Sequence, residues 1–156
     1  MGNIFSTQTI QDLIKRVENQ KVVFTNGCFD LLHPGHIDYL TKAKALGDVL
    51  IVGLNSDASV KQIKGDIRPI NNQSFRSQML LGLKPVDYVV IFEDDTPINT
   101  INKIKPHVHV KGGDYIASNL PEYKVVKSYG GQIEILPFLD GFSSTNIINK
   151  IKSTLI

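Results

Sequence analysis

Two histidines three residues apart, His33 and His36, stand inside Gly27-Cys28-Phe29-Asp30-Leu31-Leu32-His33-Pro34-Gly35-His36. The β-branched run Val22-Val23-Phe24-Thr25 leads into this segment, and a helical pattern follows it, with Ile37, Leu40, Ala43 and Leu46 on one side. The order is strand, glycine-containing turn, helix start. Histidines at this spacing share one face of the first helical turn. Pro34 suits the first helical position, where a missing N–H costs nothing. Gly35 carries no Cβ to keep a ligand off the backbone. A helix N-terminus offers free N–H groups and partial positive charge, which suits an anion such as phosphate. These residues make a phosphate seat flanked by two imidazoles.

The elements that must hold this seat follow from periodicity. Thr9 to Glu18 reads as a helix with Ile10, Leu13, Ile14 and Val17 at helical spacing, and Pro34 to Leu46 as a second. Val49–Leu54 is a continuous apolar run, as in a strand covered on both faces. Asn55 to Asn72 is polar and lacks clear periodicity, so a long functional loop is expected there. Helices are then expected over 74–83, 97–104, 121–129 and 144–152, and strands over 86–92, 107–111 and 132–136. Strand and helix alternate throughout. The expectation is one domain over 1–156: an α/β, three-layer Rossmann-like fold with a five-stranded parallel sheet. In such sheets ligands bind beyond the carboxyl ends of the strands. Asn26–His36, Asn55–Arg68, Glu93–Thr96, Lys111–Tyr115 and Gly141–Thr145 all fall there.

Composition narrows the classes. At 156 residues and 42% hydrophobic, the chain can bury a core and is not disordered. A net charge of +2 with scattered basic residues gives no footprint for nucleic acid. No apolar run approaches the ~20 residues of a spanning helix, so no membrane partner is expected. No signal peptide is expected either, and the single cysteine, Cys28, precludes an internal disulfide. Together these point to the cytoplasm. Cys28 sits at a strand end, where packing is the simpler role; a nucleophilic thiol is the alternative. Met1-Gly2-Asn3-Ile4-Phe5-Ser6 fits a myristoylation pattern and Asn72-Gln73-Ser74 a glycosylation sequon; both read as chance matches.

Gly-x-Phe-Asp followed by His-x-Gly-His resembles the nucleotidyltransferase superfamily of cytidylyltransferase-like folds. From about Lys21 to Ile151 the resemblance narrows to the bacterial heptose-1-phosphate adenylyltransferases, of the free-standing type. It rests on Lys64-Gly65-Asp66-Ile67-Arg68-Pro69, Arg76, Leu80, Val86-Asp87-Tyr88-Val89-Val90 and Glu93-Asp94-Asp95-Thr96-Pro97. Val110-Lys111-Gly112-Gly113-Asp114-Tyr115 and Gly141-Phe142-Ser143-Ser144-Thr145-Asn146 are its more specific parts. It implies transfer of AMP from ATP to a heptose 1-phosphate, releasing pyrophosphate, with Mg²⁺ accompanying the triphosphate and no metal-binding residues of the protein's own. A homodimer stays open. Glycerol-3-phosphate cytidylyltransferase, a silent nucleotide-binding module and a Cys28-dependent hydrolase are the rivals.

For such a transfer, His33 and His36 can donate hydrogen bonds to oxygens of the α-phosphate. Lys64 can neutralise β/γ-phosphate charge, completing the catalytic set. Arg76 can grip phosphate with its planar fork. Ser143, Ser144 and Thr145 form a second helix start for phosphate. The resemblance adds Lys111 and Asp114 and supports Lys64, Ser144 and Thr145. Asn26, Gly27, Cys28, Phe29, Gly35 and Gly113 complete the candidate nucleotide contacts, and Asp30, Asn55 and Arg68 the candidate substrate contacts.

Overall fold

The computed structural model describes residues 2–155, so Met1 of the myristoylation pattern lies outside the described residues. Six parallel strands form one sheet: β1 (Ile4–Ser6), β2 (Val22–Gly27), β3 (Val49–Asn55), β4 (Tyr88–Phe92), β5 (Val108–Gly112) and β6 (Gln132–Leu136), in the order β1-β4-β3-β2-β5-β6. All seven residues of β3 are buried, as its apolar run requires of a strand covered on both faces.

Among the described residues seven α-helices flank the sheet: α1 (Ile10–Arg16), α2 (Pro34–Lys44), α3 (Asp57–Lys64), α4 (Gln73–Leu81), α5 (Ile98–Ile104), α6 (Tyr123–Ser128) and α7 (Ser144–Thr154). On one face Tyr39, Leu40 and Ala43 of α2 and Leu80 of α4 pack on Val23, Leu50, Val52 and Val110. On the other Ile10 and Leu13 of α1, Ile101 and Ile104 of α5 and Val126 of α6 pack on Phe24, Ile51 and Val90. The three layers are therefore helix, sheet, helix. No helix among the described residues is long and apolar enough to cross a membrane.

Two expectations change. The sheet has six strands rather than five, because β1 adds itself to the edge through Ile4↔Val89, Phe5↔Val90 and Ser6↔Ile91. Three residues are too few for a period-2 pattern to stand out, and the strand exists through its partner. The expected long loop also contains a helix. Ser56 caps α3 by accepting the Ser59 N–H at 3.1 Å, and Val60 is buried beneath it. Only 65–72 remains irregular between α3 and α4.

Chain direction reverses across the sheet at β2. From β2 the chain runs outward through β3 to β4, then returns to place β5 on the other side of β2. That switch point opens a crevice at the carboxyl ends of β2 and β5.

Candidate active site

The crevice is a cavity of about 540 Å³. The turn after β2, the start of α2, the end of α3, the end of β5 and the start of α7 all line it. His33 is the residue before α2, in extended backbone, and its carbonyl accepts the first helical N–H, from His36, at 2.9 Å. The His33 N–H in turn donates to Nδ1 of His36 at 3.3 Å. With Nδ1 accepting, the ring proton of neutral His36 resides on Nε2. The backbone thereby makes His36 a donor at Nε2.

Four rings stand in a row. His33 and His36 stack with centroids 3.8 Å apart. Phe29 backs His36 at 5.3 Å and Phe142 lies over His33 at 6.2 Å. Phe29 holds a φ of +46°, a costly conformation for an aromatic residue, and so places its buried ring behind His36. A Cβ on Gly35 would sit 2.9 Å from Nδ1 of His33 and 3.3 Å from Phe142, so glycine there is what lets the row close. Burial lowers the pKa of both imidazoles. For His36, burial and then the neighbouring His33 bring it down to about 4. Both rings are thus neutral donors near pH 7. Nδ1 of His33 and Oδ1 of Asn26 are buried without a partner, and both residues line the cavity.

Lys64, at the end of α3, and Lys111, at the end of β5, bring positive charge to the same cavity. Ser143, Ser144 and Thr145 also line it. Two of those hydroxyls are already engaged: Oγ of Ser143 caps α7 by accepting the Asn146 N–H at 2.9 Å, and Oγ of Ser144 donates to the Leu31 carbonyl at 3.0 Å. The Ser144 bond ties α7 to the turn that carries the histidines. Gly27, Cys28, Phe29, Asp30, Gly35 and Arg68 line the cavity as well.

Residues 24–156 match the family model described as cytidylyltransferase-like. The chain belongs to the cytidylyltransferase-like family. It is 54% identical over 137 residues to the bifunctional protein HldE of Geobacter metallireducens, covering 88% of this chain and 28% of that protein. With the bifunctional protein HldE of Helicobacter pylori it shares 49% over 146 residues, 94% of this chain and 31% of that one. The chain therefore spans less than a third of these relatives. The crystal structure of the lipopolysaccharide core biosynthesis protein of Thermoplasma volcanium superposes with a TM-score of 0.62 at 29% identity, covering 78% of this chain and 98% of that chain. Pantothenate synthetase of Thermus thermophilus, at 14% identity and a TM-score of 0.64 over 92% of this chain and 67% of that one, shares the fold.

Around this cavity, several candidates are placed differently from expectation. Arg76 is fully buried and every arm of its guanidinium is in use. Nε donates to the Asn71 carbonyl, Nη1 to the carbonyls of Cys28 and Asn55, and Nη2 to Asp57, all at 2.8–2.9 Å. It braces the loops from behind and does not line the cavity. Asn55 is buried with Nδ2 on Ser59 and is likewise outside the lining. Gly113, at φ +114°, turns the chain away after β5, and Asp114 with it is exposed and off the wall. Asp30 lines the cavity with its carboxylate already occupied by Arg68 Nε and the N–H groups of Ile70 and Asn71, each at 2.8 Å. That pair fastens the 65–72 segment over the turn. Burial raises the Cys28 thiol despite Lys64, Arg76 and Arg68 nearby, which keeps it protonated and disfavours a thiolate nucleophile.

The wall also holds Tyr39, Phe138 and Leu139, which sequence reasoning missed, and Tyr115 and Phe142, which it placed at the strand ends without a role. Tyr39 Oη lies 2.6 Å from Thr25 Oγ1 and donates to the Val110 carbonyl at 3.1 Å, riveting α2 to β2 and β5. Phe138, Leu139 and Phe142 form an exposed apolar lip. Their signal was present: three large apolar residues in a stretch outside any strand or helix.

Proposed function

We propose that this chain transfers AMP from ATP to heptose 1-phosphate, giving ADP-heptose and pyrophosphate. The observation that carries the transfer is the stacked pair of neutral imidazoles at the start of α2, facing a cavity between Lys64 and Lys111. A sugar-phosphate oxygen attacks the α-phosphorus in line and pyrophosphate departs on the opposite side. Nε2 of His36 and the ring of His33 donate to α-phosphate oxygens as their charge builds. Lys64 meets the charge of the leaving pyrophosphate as a point cation. A cavity of about 540 Å³ has room for a nucleotide with a sugar phosphate beside it.

The choice of heptose and of ATP rests on the motif resemblance and on the HldE relatives. No group of three His, Cys, Asp or Glu side chains among the described residues is arranged as a metal cage. A Mg²⁺ brought by the triphosphate would take its ligands from phosphate oxygens and water, where it supplies charge neutralisation. The test is pyrophosphate release from ATP or CTP paired with heptose 1-phosphate or glycerol 3-phosphate. ATP with heptose 1-phosphate should exceed CTP with glycerol 3-phosphate by roughly a hundredfold in kcat/KM. Preference for the second pair would move the chain to the glycerol-3-phosphate branch. Absence of pyrophosphate with every pair would leave a binding module.

A further inference from the structure

Behind the cavity wall lies a buried charged cluster that the proposed reaction does not use. His109 and Lys111 are two residues apart on β5 and so share one face of the strand, opposite Val108 and Val110. That face packs in an otherwise apolar layer, with the His109 ring 5.8 Å from that of Phe24. Into it comes Glu122, the residue before α6, only 2% exposed. Its Oε1 lies 2.9 Å from Nε2 of His109, which is fully buried, and 3.8 Å from Nζ of Lys111. Burial alone pushes the Glu122 carboxyl up, but His109 and Lys111 more than offset this and hold it below its ordinary range. The carboxylate is therefore ionised and accepts from Nε2–H.

A carboxylate placed here for stability alone is a poor device, because an apolar group of the same shape generally serves as well. What distinguishes this one is its outlet. Lys111 is the one member of the cluster that reaches the cavity wall, where its ammonium also lies 5.6 Å from the centroid of the Tyr115 ring. A lysine on a free surface samples many rotamers; this one is drawn back by a fixed charge and flanked by a ring. We propose that Glu122, oriented by His109, is a positioning residue that holds the Lys111 ammonium at the wall ready for an anionic ligand. The ordering of that side chain is then complete before the ligand arrives, which raises affinity without touching the chemistry. The inference rests on the reading of the cavity as a nucleotide site.

The test is a double-mutant cycle read by calorimetric titration with ATP, in wild type, Glu122→Gln, Lys111→Met and the double variant. Glutamine keeps an acceptor for His109, and methionine keeps most of the lysine stem. Glu122→Gln is expected to weaken ATP binding about tenfold, with turnover at saturating ATP within about twofold of wild type. Lys111→Met is expected to weaken binding at least as much, and the double variant to be no weaker than Lys111→Met alone. Glu122→Asp, which keeps the charge but draws it back, should fall between wild type and Glu122→Gln; it carries the same cycle if glutamine prevents folding. Additive losses, or a Glu122→Gln protein that binds ATP as wild type does, overturn the proposal while leaving the nucleotide site standing. A wild-type protein that does not bind ATP overturns the nucleotide reading itself, and this inference with it.

Discussion

At the scale of single residues, the histidine pair is governed by burial rather than by charge. His36 Nδ1 is committed to the His33 N–H, so its Nε2–H is the group left for a ligand. Replacing His36 by Ala removes one preorganised donor and should lower kcat about 10²–10³-fold with the fold retained; steady-state pyrophosphate release on a folded variant checks this, and near-normal turnover would refute the role. The same burial gives a pH signature. The native pKa of His36, about 4, lies below its ordinary 6.5. As pH falls, the unfolded chain therefore takes up this proton first. The stabilising contribution is complete above pH 6.5 and is lost as pH falls from 6.5 towards 4. After solvent screening it amounts to roughly 1–2 kcal/mol. Followed from pH 7.5 to 4, the urea midpoint of wild type should fall further than that of His36→Gln across that window.

At the scale of elements, the turn after β2 and the start of α2 were legible because glycine, proline and histidine punctuate them at fixed spacing. The role of Arg76 was not, because an arginine beside polar loops reads the same whether it faces a phosphate or four backbone and carboxylate oxygens. Its neighbours decide, and they come from Cys28, Asn55, Asp57 and Asn71, up to 48 positions away. Arg76 thus joins the ends of β2 and β3 to the starts of α3 and α4. Arg76→Ala strands buried carbonyls and the carboxylate, and should cost on the order of 3–5 kcal/mol of unfolding free energy. Arg76→Lys should recover little, since an ammonium cannot span the fork. A stable Arg76→Ala protein that lost only ligand affinity would return the residue to a binding role. α3 escaped notice for a different reason: Val60 is its one buried large apolar residue, and the polar and lysine-bearing residues around it read as loop composition.

At the scale of the whole molecule, the alternation of strands and helices made the layers readable, and the switch point made the location of the site readable. The sixth strand was not, because β1 holds its place through a partner 85 positions away in sequence. That strand lets stability be separated from function. β1 forms one edge of the sheet, with β4 and β3 between it and β2. Three strand spacings put it roughly 14 Å from β2, whose following turn leads to the histidines. Phe5 at its centre is only 6% exposed, meets the Tyr88 ring at 6.0 Å and lies beneath the Arg16 guanidinium at 5.0 Å. Phe5→Ala removes that burial and should lower the unfolding free energy by about 3 kcal/mol. None of these residues lines the cavity, so ATP affinity in native conditions should stay within about twofold of wild type. Urea denaturation and ATP titration on the same preparation test both halves. An unchanged urea midpoint would mean that β1 contributes little to the fold. A large loss of affinity in a still-folded variant would mean that the edge strand and the cavity are coupled through β4 and β3.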